Sequence, residues 1–253
     1  MDPDVLEEEA GLSVLGVVPQ ELEKVDLPTI THPASGRAEA YRTVRTNIQF
    51  AGSPAALKRI IITSATPGEG KTSVAVNVAI AMARQGQSVV LVDADLRRPR
   101  VHLAFGMTES GDGIAGVLAD GAAVADVLRQ ADDGALAVIP AGRRVDNPSE
   151  LLGSARMVAL LEELAEHFDI VLVDTPPVLP VTDALVLAVG ATGVIVVVRL
   201  GATNRERLGR ALGSLRKLNV EILGLVANGA VPSGDAAYGY GSRYGYASTR
   251  GRR

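Results

Sequence analysis

SATPGEGKTSVAVNVA, residues 64–79, decides how the rest of the chain is read. The run RIIIT at 59–63 precedes it and has the apolar, β-branched character of a buried strand. After it the spacing predicts a helix over 70–84. Between the two lies a loop of small residues. Glycines there let backbone N–H groups curl around phosphate oxygens without side-chain collisions, and the following helix N-terminus adds partial positive charge. Lys71 is suited to reach terminal phosphates, and the Thr72 hydroxyl to hold Mg²⁺. A phosphate loop of the strict pattern begins with glycine, where this chain has Ala65. A glycine turn that binds nothing is the plain alternative. The strand before, the helix after and the Gly-Lys-Thr ending together argue against it. The expected nucleotide contacts are the loop residues Thr66, Pro67, Gly68, Glu69 and Gly70, with Lys71, Thr72 and Ser73 in the first helical turn. The guanine-reading Asn-Lys-x-Asp sequence is absent, which favours ATP, with Mg²⁺.

Working outward, apolar runs alternate with amphipathic stretches. Strands are expected at 59–63, 88–93, 136–140, 169–174, 193–199 and 221–228, and helices at 154–167 and 205–217. Short helices are expected over 113–130, with Gly121 between them. This alternation predicts an α/β fold, a mainly parallel sheet with helices on both faces. A further helix is expected from Arg37, its apolar face formed by Ala40, Val44 and Ile48. Residues 1–36 read as an N-terminal linker with one short apolar element, 37–230 as the domain, and 231–253 as a flexible tail.

Composition agrees. Of 253 residues 47% are hydrophobic but only 3% aromatic, which suits strands covered on both faces. No cysteine is present, which removes disulfides, thiolate zinc sites and iron–sulfur clusters together. A net charge of -4 is too mild to point to nucleic acid, and none is expected as a partner. The start, MDPDVLEEEAG, is acidic and lacks the apolar core of a secretory signal. The longest apolar stretch, 184–198, is broken by Gly190, Thr192 and Gly193. It reads as a helix followed by a strand. A soluble, cytoplasmic chain is expected.

Two more strand ends carry acid. VVLVDADLRRPR ends a strand at Asp93 and Asp95, and IVLVDTPP ends another at Asp174. Ligands of open α/β sheets lie off the carboxyl ends of the strands, so these carboxylates are expected beside the phosphate loop. They could orient Mg²⁺ and its waters, or accept a proton during phosphoryl transfer. In a continuing strand Asp93 and Asp95 would share one face, their repulsion offset by Mg²⁺ or by Arg97 and Arg98. Either one is a candidate base on spacing alone. Asn228, closing the last strand, is a candidate adenine contact, though strand-end asparagines often serve turns.

Three stretches together carry a resemblance. ATPGEGKT, VVLVDADLR and IVLVDTPP resemble the Walker A, Walker A′ and Walker B motifs of the bacterial tyrosine kinases linked to capsule and exopolysaccharide synthesis. These are P-loop proteins of the same fold as the MinD and ParA ATPases. The similarity runs from about Leu15 to the end of the chain. EAYRTVR, residues 39–45, is similar to the family's Glu-x-x-Arg-x-x-Arg segment, which implies that Glu39, Arg42 and Arg45 join neighbouring subunits into a ring. NPSELL at 147–152 is also typical of the family. YGYGSRYGYAS at 238–248 holds four of the chain's five tyrosines, spaced mostly by glycine. The resemblance makes Tyr238, Tyr240, Tyr244 and Tyr246 phosphoacceptors for a neighbouring copy.

The resemblance further implies autokinase activity with MgATP, Lys71, Asp93, Asp95 and Asp174 as catalytic groups, and Thr72, Asp95 and Asp174 around the metal. It implies a transmembrane activator or fused membrane segment, a cognate tyrosine phosphatase, and a place at the inner face of the plasma membrane. Two other readings use the same loop. A positioning ATPase of the MinD or ParA type would carry a lysine at position 66, where this chain has Thr66. A non-catalytic ATP-binding subunit that gates polysaccharide assembly would need no phosphoacceptor.

Overall fold

The computed structural model describes residues 3–20, 27–52, 57–108 and 112–231. In chain order the elements are α1 (Pro3–Ala10), β1 (Val14–Pro19), α2 (Pro28–Thr31), α3 (Gly36–Phe50), β2 (Arg59–Ser64), α4 (Lys71–Ala83), β3 (Val89–Asp93) and α5 (Val101–Ala104). There follow α6 (Ile114–Asp120), α7 (Val124–Val127), β4 (Arg129–Ala131), β5 (Leu136–Ile139), α8 (Pro148–Leu152) and α9 (Ala155–His167). The last are β6 (Ile170–Asp174), α10 (Asp183–Ala188), β7 (Gly193–Arg199), α11 (Arg205–Arg216) and β8 (Ile222–Ala230).

The eight strands form one sheet in the order β1-β8-β7-β2-β6-β3-β5-β4. All pairs are parallel except β4 with β5. Side chains on a strand alternate between faces, and β2 shows the consequence. Ile60 and Ile62 enter one core with α3 and α4, while Ile61 enters the other with α9, α10 and α11. Both cores exclude water, which is why these strands are apolar throughout rather than alternating. Helix α4 lies against the sheet with every residue from Thr72 to Ala83 buried. Its alanines and valines leave no polar face, as expected of a helix enclosed on all sides.

Two expectations need correcting. The described residues 3–19 are not linker: β1 extends the sheet by pairing in parallel with β8, and α1 buries Leu6 and Ala10 against the core. The apolar element was visible at 12–20, but the distant β8 that it pairs with was not. The 113–130 stretch contains α6 and α7 but ends in β4, whose three residues carry no strand-like period of their own. Among the described residues there are thus eight strands rather than six.

Helix α3 starts at Ser35, whose side chain accepts a hydrogen bond from Ala38 N. Its buried face is Ala38, Tyr41, Val44 and Ile48, with Ala40 half-buried, so the apolar stripe is rotated from the one expected. The close fit of β1 under it depends on Gly16: a Cβ there would lie 2.6 Å from Val44 Cγ2. Among the described residues no helix is long and apolar enough to cross a membrane.

Candidate nucleotide site

Strands β2, β6 and β3 are consecutive in the sheet and parallel, so the loops leaving their carboxyl ends emerge together. Asp93 and Asp174 are register partners on β3 and β6. The phosphate loop leaves β2 next to them. Gly68 and Gly70 hold φ of 84° and 90°, a left-handed region that favours glycine. Gly70 has a second constraint, since a Cβ on it would lie 2.0 Å from Asn228 Nδ2. That amide donates to the Glu69 carbonyl at 2.9 Å, so Asn228 props the loop from β8. Its Oδ1 is buried without a partner. Pro67 and Gly68 form the exposed crest of the loop, whereas Ser73 is buried in the first turn of α4.

The two residues that open α4 face the acidic strand ends. Lys71 Nζ pairs with Asp95 Oδ2 at 2.9 Å, and the Thr72 hydroxyl donates to Asp174 Oδ2 at 2.6 Å. Asp174 is fully buried, and its other oxygen, Oδ1, has no partner. Asp93 is also fully buried. Its Oδ2 accepts from Arg100 N at 3.2 Å and Val101 N at 3.0 Å, and its Oδ1 accepts from Asp95 N at 3.2 Å. A carboxylate oxygen has two lone pairs, so Asp93 Oδ1 keeps one acceptor position. Because β3 stops at Asp93, the chain turns instead of continuing, and Asp95 reaches Lys71 from a turn closed by Arg98 N on Asp95 Oδ1 at 3.0 Å. The expectation of two aspartates sharing a strand face gives way to this turn.

Three carboxylates against one ammonium leave an excess of negative charge in a buried place. Burial, reinforced by Asp174, pushes Asp93 up to about 8; burial also pushes Asp174 up to about 6, against the pull of Lys71 and the Thr72 hydrogen bond. For Lys71 burial acts downward, but the Asp174 and Asp95 charges outweigh it and the net direction is up. A divalent cation would relieve the same excess. Among the described residues no three acidic, His or Cys side chains converge to hold a metal alone. The donor set fits Mg²⁺ nonetheless: a helix-terminal hydroxyl and a buried carboxylate with one unpartnered oxygen, the remaining positions filled by phosphate and water.

Arg97 makes its hydrogen bonds elsewhere, although its charge still acts on Asp95. Arg97 donates to Asp183 at 2.8 and 3.1 Å and to the Ser149 hydroxyl at 3.0 Å. Ser149 in turn donates to Asp183. This clamp docks α8, hence the NPSELL segment, onto the loop that follows Asp95. Sequence reading missed Asp183 and Ser149 because neither lies at a diagnostic spacing from a strand end. The sequence also gave no sign of Arg199 and Thr203, which reach the phosphate loop from the end of β7.

On α3, Glu39 and Arg42 pair at 2.8 Å, and Arg42 also donates to the Pro33 carbonyl at 2.6 Å. Arg45 leans the other way, onto the Ala81 carbonyl at 3.4 Å and Thr46 Oγ1 at 3.1 Å. Burial and then the neighbouring Arg42 lower its pKa. Tyr238, Tyr240, Tyr244 and Tyr246 lie outside the described residues.

The AAA domain family profile matches residues 57–221. The tyrosine-protein kinase YwqD of Bacillus subtilis is 40% identical over 211 residues, covering 83% of this chain and 89% of that protein. The putative tyrosine-protein kinase EpsB of Ralstonia nicotianae is 36% identical and covers 96% of this chain, but the chain spans only 34% of EpsB. Among solved structures, the kinase domain of the Escherichia coli tyrosine kinase ETK superposes with a TM-score of 0.86 at 33% identity, covering 94% of this chain and 96% of that one. The cell division ATPase MinD of Pyrococcus furiosus is more distant, with a TM-score of 0.59 at 25% identity over 73% of this chain and 79% of its own.

Proposed function

This chain belongs to the bacterial tyrosine-protein kinases of the P-loop AAA-domain family, and from that premise we propose that it transfers the γ-phosphate of MgATP to tyrosines of neighbouring copies of itself. The observation that carries the reading is the convergence of Lys71, Thr72, Asp95 and Asp174 on one edge of the sheet, around a loop curved for phosphate.

Each residue has a chemical task. The loop N–H groups and Lys71 would hold phosphate oxygens, while Thr72 and Asp174, with Asp95 beside them, would hold Mg²⁺ or its waters. The bound ion would supply charge neutralisation between phosphate groups. Asp93 accepts the phenol proton through the free position on Oδ1. Burial raises its pKa in the ligand-free chain, the direction that suits a group taking a phenol proton. Its complete burial means that a phenol meets it only after the side chains above it move. The phenol oxygen attacks the γ-phosphorus, the bond to the β-bridging oxygen breaks and ADP leaves, with no covalent intermediate on the protein.

The acceptors we assign are Tyr238, Tyr240, Tyr244 and Tyr246. Tyr41 is an unsuitable acceptor, fully buried on the inner face of α3. Glu39, Arg42 and Arg45 would join copies into a ring in which one tail enters the next site. The wider assignment is control of capsule or exopolysaccharide synthesis at the inner face of the plasma membrane, with a transmembrane activator and a phosphatase that resets the tail. A MinD-like positioning role is disfavoured at residue 66: the Thr66 hydroxyl donates to Glu69 at 3.0 Å, and no lysine stands there to cross a dimer. Lys71→Met tests the assignment. Incubated with radiolabelled ATP and Mg²⁺, the parent chain should acquire phosphotyrosine and the variant none; undiminished labelling of the variant defeats the reading.

A further inference from the structure

Glu69 raises a question that the proposed reaction leaves open. A carboxylate in a loop that must hold a triphosphate is electrostatically adverse, yet Glu69 is only 2% exposed and both its oxygens accept hydrogen bonds. Its Oε2 accepts from Thr66 N at 2.9 Å, and its Oε1 accepts from Thr66 Oγ1 at 3.0 Å and from Thr203 Oγ1. Thr203 lies in the turn between β7 and α11 and is 7% exposed. Its oxygen accepts from Arg199 N at 3.0 Å, which orients the hydroxyl so that its proton points to Glu69. From the same strand end, Arg199 Nη1 donates to the Gly68 carbonyl at 3.1 Å. The loop is therefore tied to the β7 end by the Arg199 guanidinium and the Thr203 hydroxyl, and to β8 by Asn228.

We propose that Thr203 is a positioning residue for the phosphate loop. It acts through Glu69 rather than on the nucleotide. Its hydroxyl fixes the Glu69 carboxylate, Glu69 fixes the Thr66 N–H, and the loop is held ready-curved before nucleotide arrives. The ordering cost is then met on folding rather than on binding, which raises affinity without altering the chemical step. Removing the hydroxyl leaves Glu69 short of a donor and its charge less restrained beside the phosphates. The proposal rests on the reading that this loop binds MgATP.

The test uses the full chain and MgADP as probe. Thr203→Val keeps shape and removes the hydroxyl; its Kd for MgADP by calorimetry should rise about tenfold, the loss expected for one hydrogen bond to a charged group. KM for ATP should rise in step, with kcat within about twofold, the pattern of lost uniform binding. Thr203→Ser should restore both. Glu69→Ala should weaken binding at least as much, and adding Thr203→Val to it should cost nothing more, because the two act as one link. A merely structural threonine would lower the melting temperature and leave Kd alone. Unchanged MgADP affinity in Thr203→Val, a fall in kcat at constant KM, or additive losses in the double variant would each overturn the proposal. Should Thr203→Val fail to fold, Glu69→Ala binding MgADP like the parent overturns it equally. A parent chain that binds MgADP but never labels tyrosine defeats the kinase reading alone; one that fails to bind MgADP defeats both.

Discussion

At the scale of single residues, the site is organised by an imbalance of charge. Asp93, Asp95 and Asp174 face one ammonium, Lys71, in a region closed to water. Folding raises Asp93 from 3.8 to about 8 and Asp174 from 3.8 to about 6, burial being the first cause in both. A carboxyl whose pKa rises on folding binds its proton more tightly in the folded chain than in the unfolded one. Its contribution to stability is therefore complete below the unfolded pKa and is lost as pH climbs through the folded value. The protein measured without Mg²⁺ and nucleotide should lose stability to urea as pH is raised from about 5 to about 9, and Asp93→Asn should flatten the upper part of that slope. A parent stability that instead rises between about 6 and 8 would show that these carboxyls do not dominate the titration. The placement of Lys71 and Thr72 at the start of α4, beside the acidic strand ends, was legible from their spacing after the glycines. The part of Glu69 was not: position and composition marked it as a ligand-facing loop residue, and only Thr203, 134 positions away, shows that its side chain points into the protein.

Among the elements, α3 and β1 depart most from sequence expectation. Helix α3 was recognisable by its period, yet its buried face includes Tyr41 in full and Ala40 only in part. An alanine in a helix is compatible with either side, so a stripe drawn through it is easily rotated. The exposed side still carries Glu39 and Arg42, with Arg45 turned toward α4. Replacing Arg42 and Arg45 together by alanine should lower the molar mass seen by light scattering if this face joins copies. Because Arg45 also reaches the Ala81 carbonyl, the melting temperature must be followed in the same samples. An unchanged mass in a folded double variant would make the trio an ordinary solvated face. Strand β1 was visible only as a short apolar run between an acidic helix and prolines. Its partner β8 lies two hundred residues on, and local periodicity carries no record of which strands pair across that distance.

For the whole molecule, the candidate nucleotide site lies within the described residues and the proposed acceptors outside them. The loop, the acidic strand ends and Asn228 lie along the carboxyl edge of one sheet, and β8, which ends at Ala230, is its last described strand in chain order. Of five tyrosines only Tyr41 belongs to the described residues, and it is 0% exposed. Changing Tyr238, Tyr240, Tyr244 and Tyr246 together to phenylalanine should remove most phosphate transferred from labelled ATP and leave MgADP affinity as it was. Mass spectrometry of the treated chain would locate what remains. Persistent labelling of the quadruple variant on this chain would assign the acceptor elsewhere and refute the tail as substrate.

The amino-acid sequence by itself determined the fold class, the phosphate loop and the two strand ends that carry the three carboxylates. Those depend on short-range rules: buried parallel strands must be apolar, a loop around phosphate must be glycine-rich, and a helix must follow it. Tertiary structure alone decided which acid meets which base. Lys71 pairs with Asp95 because β3 ends two residues earlier and the chain turns there. Arg97 serves Asp183 rather than the aspartates beside it in sequence, and Glu69 is held by Thr203. A charged side chain selects its partner by distance and burial in three dimensions, and neither quantity is written in the spacing of residues along the chain.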